Sequence, residues 1–514
     1  MPIPMRSLLG RGRYPHGSAA NVSLSMLNER LFAATSGASG WRRLPTIAAD
    51  AMVATSHPLA TRAGVRALEA GGNAVDAALA AAAMLTVCEP PHNGVGGDAF
   101  AQVWFDGALH GLNGSGRAPA EIDRPTVDAD GPRSVTVPGA VRAWADLAER
   151  FGRLGLDAAL TGAIDAARDG VAATARIAEH WRAAQDNAPW PAPRPGQRYR
   201  LPDLAETLQA IADRGPDALY RGPIAAAIAA ASWLSEDDLA AHRSEWVTPL
   251  RRTYRGVEVC ELPPNTQGAA ALVALGIAEG LDGELHGDVE AAKLALDWAA
   301  RAIGDGPVDL PDVDALRARI TGEAAADTRV WPGAGTTFLG VIDGERNAVS
   351  IIQSIFAGFG AGVRVGETGI ALHNRGSGFT EEEGHPNRIA AGRRPFHTII
   401  PGLLLRDGAL LGPFGVMGAA MQAQGHFQLV RRVVDDGLDP QAALDAARFR
   451  AYGGRRLEVE PGLAGEVDAL RARGHDVRVA DVPHGFGVGQ MILVDGDALV
   501  GGSDGRADGH AAGL

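Results

Sequence analysis

The sequence predicts a mixed α and β fold in which a buried sheet is covered on both faces. Residues 51–85 read as a strand followed by two helices, residues 140–305 are mostly helical, and residues 336–354 read as a β-hairpin. Both faces of that hairpin are apolar. Because a strand that is apolar on both faces needs cover above and below it, other layers must pack against the hairpin from two sides.

Composition restricts the class of partner. The chain has 514 residues, of which 46% are hydrophobic and 21% charged, and its formal charge is −13 with a pI near 5.6. Nucleic acids and anionic membranes bind basic surfaces, so we expect neither as a partner and expect a small-molecule ligand instead. Residues 1–45 lack the continuous apolar core of a signal peptide, and a cytoplasmic location is the resulting expectation.

The elements follow from periodicity and from helix stop signals. A helix begins near His57-Pro58, ends at Gly71-Gly72, and is followed by a second helix after Asn73. Residues 306–335, rich in Pro, Gly and Asp, form the clearest internal boundary, and residues 1–47 are predicted to be a disordered tail. Strands are predicted over 256–263, 362–366, 368–374, 398–415 and 489–504, and a long helix over about 419–436.

The hairpin has a predictable register. A turn through Gly344-Glu345-Arg346 makes Asp343 face Asn347 and Thr336 face Ser354, so the two hydroxyls could share a hydrogen bond. One face then carries Phe338, Ile342 and Ile352, and the other carries Leu339, Val341, Val349 and Ile351.

Neither a metal nor a cofactor is expected. Cys88 and Cys260 stand in apolar contexts and are predicted to be buried free thiols, and the histidines show no HExxH or dense ligand spacing. The segment GVGGD at 94–98 lacks the spacing of a dinucleotide-binding loop.

The pair Thr336-Thr337 directly after Gly335 allows a specific chemistry. A threonine hydroxyl needs a base, and the most compact arrangement uses the α-amine of the same threonine after the preceding peptide bond is cut. That amine has a pKa of about 7.7–8.0, which suits a general base near neutral pH. Gly335–Thr336 would be the cleaved bond, although most Thr-Thr pairs are ordinary β-branched strand residues.

Ordered segments along residues 48–512 resemble the γ-glutamyltransferase family of N-terminal-nucleophile hydrolases. They include "MVATSHPLATRAGVRALEAGGNAVDAALAAA", "GVGGDAFAQVW", "TTFLGVIDGERNAVSI", "RRPFHTIIPGLLL" and "GGSDGRADGHAAGL". The resemblance implies an α+β fold, the four-layer αββα sandwich. It also implies autocatalytic cleavage into a large chain (48–335, after the tail 1–47) and a small chain (336–514) that form one αββα unit. Whether that heterodimer also dimerises is left open.

The resemblance also assigns the reacting groups. Thr336 matches the nucleophile, and Ser354, reached independently through the hairpin register, matches a second hydroxyl beside it. The backbone N–H groups of the family's oxyanion hole align with Gly415 and Val416.

The residues that would bind a glutamate differ from the family's pattern. The position of the carboxylate-binding Arg is Ser115, with Arg117 nearby, and the position of the Asp that binds the α-amine is Gly378. The aligned positions offer basic or apolar groups instead, namely Arg117, Arg375, His397, Thr398 and Phe356. We therefore expect a small amide that carries a carboxylate and no amine. For each Arg, a salt-bridged surface residue is an equal alternative.

Within the family, the segments "NRGSGF", "HPN", "RPFHT" and "QGH" are most similar to the divergent oxamate amidohydrolase-like and glutathione hydrolase-like branch. The first interpretation is a self-processing threonine amidohydrolase or acyltransferase. The alternatives are a true γ-glutamyltransferase or glutathione hydrolase, a β-lactam side-chain acylase, and an inactive relative that serves as a binding protein.

Overall fold

A computed structural model describes residues 43–331, 335–481 and 485–514. The strands of these residues are, in chain order, β1 Thr46–Ala48, β2 Met52–Thr55, β3 Asp98–Phe105, β4 Ala108–Asn113, β5 Val171–Ala172, β6 Arg198–Tyr199, β7 Glu245–Val247, β8 Leu250–Tyr254, β9 Val257–Glu261, β10 Thr337–Ile342, β11 Ala348–Ser354, β12 Gly402–Arg406, β13 Ala409–Met417, β14 Phe449–Ala451, β15 Arg456–Val459, β16 Asp476–Val479, β17 Val488–Asp495, β18 Ala498–Ser503 and β19 His510–Gly513.

The α-helices of the same residues are α1 Pro58–Glu69, α2 Ala74–Cys88, α3 Ala140–Phe151, α4 Leu156–Asp169, α5 Ala175–Ala183, α6 Pro202–Arg214, α7 Asp217–Tyr220, α8 Pro223–Ala231, α9 Glu236–Ala241, α10 Gly268–Ala278, α11 Leu285–Ala302, α12 Val313–Arg317, α13 Met421–Val434, α14 Pro440–Asp445 and α15 Val467–Ala472. Short 3₁₀ turns occupy Pro132–Ser134, Arg375–Gly378 and Pro461–Glu466.

Two seven-stranded antiparallel sheets form the centre. The first has the order β1-β18-β17-β13-β12-β9-β8 and the second has the order β19-β2-β10-β11-β3-β4-β7. Phe338 and Ile352 of the second sheet pack with Leu262 and Ile399 between the two sheets. Two sheets that bury their facing side chains in this way form a sandwich.

Helices cover both outer faces. Leu339, Val341, Val349 and Ile351 pack outward into one core with helix α2, all 15 residues of which are buried. On the first sheet, β9, β12 and β13 share a core with α10, α11 and α13. The αββα sandwich is therefore confirmed, and so is the predicted division of the hairpin's side chains between its two faces.

The β10–β11 hairpin has the predicted register. Thr337 pairs with Gln353, Phe338 with Ile352, and the ladder continues to Ile342 opposite Ala348. At the turn, the carboxylate of Asp343 accepts hydrogen bonds from the N–H groups of Glu345 and Asn347 at 2.9 Å, and from the N–H of Ala74 at the start of α2 at 2.9 Å. One aspartate therefore fixes the turn and satisfies a free donor of the helix.

Some predicted elements are wrong. Residues 362–366 and 368–374 contribute only an isolated bridge between Arg364 and Ala371. Glycines 360, 362, 366 and 369 have φ between +48° and +67°, and these left-handed conformations interrupt an extended strand. Residues 1–42 of the predicted tail lie outside the described residues, but Thr46–Ala48 at its end pairs with β18.

Cys88 and Cys260 are buried free thiols, as predicted. Within the described ranges, no helix has the length and apolar character needed to cross a bilayer.

Candidate active site

The carbonyl oxygen of Gly335 is the centre of the site. It accepts a hydrogen bond from Thr336 Oγ1 at 2.6 Å and another from Ser354 Oγ at 2.7 Å. Thr336 and Ser354 are both buried, and both stand at the end of the hairpin ladder on the face between the sheets. The predicted direct bond between the two hydroxyls is replaced by this shared acceptor.

The hydroxyl of Ser354 has a fixed direction. Its oxygen accepts a hydrogen bond from the N–H of Phe356 at 2.8 Å and another from Arg375 Nη2 at 3.3 Å. A hydroxyl has two acceptor sites and one proton, so the proton of Ser354 can only point to the Gly335 carbonyl. Phe356 has φ +73°, which is uncommon for a bulky residue.

Gln422, in the first turn of α13, contacts the threonine hydroxyl. Its Nε2 donates to Thr336 Oγ1 at 3.2 Å, while its Oε1 accepts from the N–H of Ile400 at 3.0 Å. The second bond assigns the orientation of the amide. Sequence reasoning missed Gln422, although it precedes the "QGH" segment that was noticed.

Arg375 is a buried cation beside Ser354. It is 1% exposed, donates from Nη1 to Thr398 Oγ1 at 3.1 Å, and lies 4.1 Å above the ring centre of Phe356. Burial lowers its pKa to about 9, opposed by the charge of Asp98, so Arg375 is protonated at neutral pH. Within the described part of the chain, no carboxylate forms an ion pair with it, which makes a nearby negative charge favourable.

Asp98 carries the negative charge nearest to this cation among the described residues. It is paired with Ser354 in the ladder between β3 and β11. Its Oδ2 is 3.1 Å from His397 Nε2 and 3.4 Å from His373 Nδ1, and its Oδ1 accepts from the N–H groups of Gly116 and Gly139. Burial raises the pKa of Asp98, but its interactions with His373, with the hydrogen-bonded His397 and with the charge of Arg375 outweigh burial and lower that pKa to about 2. The ionised carboxylate balances the charge of Arg375.

His397 supports the site from behind instead of lining a pocket. It is completely buried, packs edge-on against Phe100 and faces Asp98. Burial, and then the charge of Arg375, lower its pKa to about 3, so it is neutral at pH 7. A neutral His397 donates its Nε2 proton to Asp98.

Arg117 does not have the predicted position. Its guanidinium pairs with Asp305 at 2.9 Å and with Glu245 at 2.8 Å, and 42% of its side chain is exposed. Two carboxylates already bind the group, and none of its hydrogen bonds reaches Thr336, Ser354 or Arg375. The salt-bridged surface alternative therefore describes Arg117. Of the other predicted residues, Arg375 and Phe356 contact Ser354, and Thr398 is bonded to Arg375.

The predicted oxyanion donors, Gly415 and Val416, lie in other contacts. The N–H of Val416 donates to His426 Nε2 at 3.1 Å, and Gly415 lies inside the ladder between β13 and β17. The turn that follows has unusual backbone angles, with φ +132° at Gly418 and φ +58° at Ala419. Among the described residues, no acceptor bonds the N–H of Ala419, and Gly418 lines the cavity beside Thr336.

That cavity has a volume of about 200 Å³ and is lined by Thr336, Gly335, Gly418 and two histidines, His92 and His180. The histidines contact each other through His92 Nε2 and His180 Nδ1 at 2.7 Å. Burial, with smaller contributions from His180 and Arg176, lowers the pKa of His92 to about 3. A neutral imidazole therefore faces the threonine from across the cavity.

One group of possible metal ligands occurs among the described residues, and it does not line this cavity. His286, Glu290 and His475 have ligand atoms within 4.8 Å of one another. His286 Nδ1 and His475 Nε2 are only 2.8 Å apart in a hydrogen bond, and Glu290 pairs with Lys293 at 2.7 Å. These internal bonds already occupy the donor atoms that a metal would need.

Comparison with known proteins identifies the family. A profile described as gamma-glutamyltranspeptidase matches residues 60–514. The chain belongs to this family. It is 34% identical to the "Glutathione hydrolase-like YwrD proenzyme" of Bacillus subtilis, over 90% of this chain and 98% of that protein. It is 32% identical to the "Oxamate amidohydrolase proenzyme" of Klebsiella pneumoniae, over 91% and 99%.

A solved structure agrees with this γ-glutamyltranspeptidase-family assignment. The cephalosporin acylase from Bacillus halodurans superimposes with a TM-score of 0.88 at 41% identity, over 93% of this chain and 98% of that chain. The resemblance found from the ordered sequence segments, including the divergent branch, is therefore confirmed.

The buried neutral histidine predicts a pH dependence of stability. His397 has a pKa of about 3 in the folded protein and about 6.5 when unfolded, so the unfolded state binds more protons between these values. The free energy of unfolding should fall as pH decreases from about 6.5 towards 3. In His397→Gln, whose amide can still donate to Asp98, the slope between pH 5.5 and 4.5 should be smaller by about 1.4 kcal/mol per pH unit.

Urea unfolding at several pH values measures this slope. His110→Gln is the control, since its imidazole is only partly buried, and it should change the slope by less than half as much. Equal slopes for wild type and His397→Gln would contradict the assignment of a neutral His397.

Proposed function

We propose that the protein is a self-processing amidohydrolase whose nucleophile is Thr336. One observation carries the proposal: the Gly335 carbonyl oxygen lies between the hydroxyls of Thr336 and Ser354 at 2.6 and 2.7 Å. The threonine oxygen is therefore adjacent to the carbonyl group that it would attack. The "proenzyme" in the names of both relatives supports processing at this bond.

In the processing step, Thr336 Oγ1 attacks the carbonyl carbon of Gly335 and the Gly335–Thr336 C–N bond breaks. The hydroxyl proton passes to the departing nitrogen, which leaves an ester between Gly335 and the threonine oxygen. Ser354 donates to the carbonyl oxygen as its negative charge develops, and Arg375 stabilises that charge from behind Ser354. Water then hydrolyses the ester and releases the Gly335 carboxylate.

The processed enzyme repeats this chemistry on an external amide. The free α-amine of Thr336 removes the proton from Oγ1, the oxygen attacks the substrate carbonyl, and the amine returns the proton to the leaving nitrogen. Gln422 orients the hydroxyl through its bond to Oγ1. The N–H groups of the turn at Gly418 and Ala419 replace Gly415 and Val416 as oxyanion donors in this proposal.

The substrate that we propose is a small amide whose acyl part carries a carboxylate and no ammonium. A buried Arg375 that has no ion-pair partner among the described residues supports the carboxylate. Gly378, which has no side chain, aligns with the family's ammonium-binding Asp. The oxamate amidohydrolase relative acts on an amide of this kind by its name.

Intact mass spectrometry tests the processing. The wild-type chain of 53.2 kDa should be found as two chains that meet at Gly335–Thr336, with about two thirds and one third of the mass, and Thr336→Ala should stay whole. Thr336→Ser should still be cleaved. A folded wild type that stays whole would contradict the proposal and favour a binding protein.

The same assay tests Ser354. Ser354→Ala should slow cleavage at least tenfold, because the carbonyl oxygen loses its fixed donor. Ser350→Ala is the matched control, since Ser350 is buried on the same strand and its hydroxyl has no partner among the described residues. Equal cleavage rates for the two variants would exclude the assigned role of Ser354.

A matched pair of amides tests the substrate class. A glutaryl anilide and a γ-glutamyl anilide differ only in the α-ammonium group. We expect kcat/KM at least tenfold higher for the glutaryl compound, because a buried ammonium would have no counter-charge here. The opposite order would indicate a true γ-glutamyl enzyme, and hydrolysis of cephalosporin side chains alone would favour the acylase alternative.

Gln422→Ala should lower kcat for the preferred anilide at least tenfold, with a smaller change in KM, because the nucleophile loses its orienting donor. Gln424→Ala is the control on the same helix. Among the residues that the structure describes, its amide bonds only to the backbone of Ala420 and Ala451, so its loss should lower thermal stability while kcat stays within about twofold. An unchanged kcat in Gln422→Ala would disprove the role of Gln422.

A further inference from the structure

We infer that His92 determines which residue can precede the cleaved bond: its imidazole occupies the side-chain position of residue 335, so that only glycine brings the carbonyl group to Thr336 and Ser354. The inference rests on the proposed self-cleavage. It concerns the uncleaved chain, in which Gly335 is still bonded to Thr336, and it does not depend on where an external substrate binds.

The space for a side chain on Gly335 is already filled. A methyl carbon in that position would lie 2.8 Å from His92 Nδ1, 3.2 Å from the Phe356 carbonyl oxygen and 3.7 Å from His92 Cα. Favourable contacts between non-bonded heavy atoms have separations of about 3.5–4.0 Å, so the first of these distances is strongly repulsive. A larger residue at this position must therefore move the imidazole or shift its own peptide group.

The imidazole of His92 cannot move aside easily. Its Nε2 is 2.7 Å from His180 Nδ1, and this hydrogen bond fixes the side of the ring that faces away from Gly335. The backbone of His92 is also held, because its N–H donates to the Glu89 carbonyl at 3.0 Å and its carbonyl accepts from the N–H of Ile355 at 3.2 Å. The ring and its backbone therefore form a fixed wall.

The same wall is connected to the residue that orients the carbonyl group. Ile355, which donates to His92, directly follows Ser354, and the N–H of Phe356 donates to Ser354 Oγ at 2.8 Å. A side chain on residue 335 would thus press on the segment that holds Ser354 and would displace its own carbonyl oxygen. That oxygen accepts hydrogen bonds of 2.6 and 2.7 Å, which a displacement would lengthen.

The self-cleavage of newly translated protein tests the role of His92. Each variant is made by cell-free translation, synthesis is stopped, and the uncleaved fraction is followed with time by gel electrophoresis. Gly335→Ala should be cleaved at least tenfold more slowly than the wild type, because a displaced carbonyl group loses the alignment that the reaction requires. In a His92→Ala background, Gly335→Ala should slow cleavage by no more than about twofold, because the methyl group then has room.

Two matched controls separate this effect from a general loss of structure. Gly322→Ala adds a methyl group that meets no atom of the described residues within 4 Å, so it should leave the rate of cleavage unchanged. His110→Ala removes a partly buried imidazole on β4, and it should not restore the cleavage of Gly335→Ala.

Thermal unfolding tests the contact without any cleavage. In the Thr336→Ala protein, which we expect to stay whole, Gly335→Ala should lower the midpoint of unfolding by about 1 °C or more, because overpacking a filled site is destabilising. When His92→Ala is also present, Gly335→Ala should no longer lower this midpoint. An equal midpoint with and without Gly335→Ala in the Thr336→Ala protein would contradict the contact.

Cleavage of Gly335→Ala at the wild-type rate would overturn the inference. Slow cleavage that persists when His92→Ala is combined with Gly335→Ala would also overturn it, because the backbone would then be what requires glycine. A wild type that stays whole would contradict the proposed function itself, and the specificity assigned to His92 would fall with it. The two failures are distinguishable, because in the second case no variant is cleaved.

Discussion

The hydroxyl of Ser354 is the constraint on which the site depends. Two donors, the N–H of Phe356 and the guanidinium of Arg375, occupy its oxygen, so its proton has a single direction. These donors belong to a bulky residue in a left-handed conformation and to a buried cation, and both features cost free energy. The surrounding αββα sandwich provides the packing that keeps them in place.

Charge balance explains why Arg375 can be buried there. The carboxylate of Asp98 lies behind it, close enough to favour the charged guanidinium but not in an ion pair with it. Asp98 is in turn held by two backbone N–H groups and by His397. Asp98 therefore compensates the positive charge of Arg375, while the guanidinium donates its hydrogen bonds to Ser354 and Thr398. This arrangement stabilises an oxygen that becomes negative while it accepts the hydrogen bond of Ser354.

The sequence predicted the hairpin because local chemistry determines it. Alternating apolar residues and the Asp343 turn set the register, and the register placed Thr336 and Ser354 together. The two strands predicted around residues 362–374 were wrong because four glycines with positive φ interrupt an alternating pattern. The oxyanion donors were predicted at Gly415 and Val416, and only the structure shows that the Val416 N–H is already bonded to His426.

Gln422 and His92 were missed for another reason. Gln422 follows Thr336 by 86 residues and His92 precedes it by more than two hundred, so neither contact leaves a local pattern in the sequence. The residues that the family alignment placed by position alone had mixed outcomes. Arg375 contacts Ser354 and is bonded to Thr398, whereas Arg117 is bound by two carboxylates. Alignment gives the position of a side chain along the chain, and its neighbours decide where it points.

The strand order has a consequence for the chains on either side of Gly335. In the second sheet, β10 and β11 lie between β2 and β3, and in the first sheet β12, β13, β17 and β18 lie between β1 and β9. Strands from before and after residue 335 thus alternate within both sheets. A cut at this bond would leave two polypeptides that cannot separate without opening five ladders, so the specific activity of the cut protein should not change on dilution.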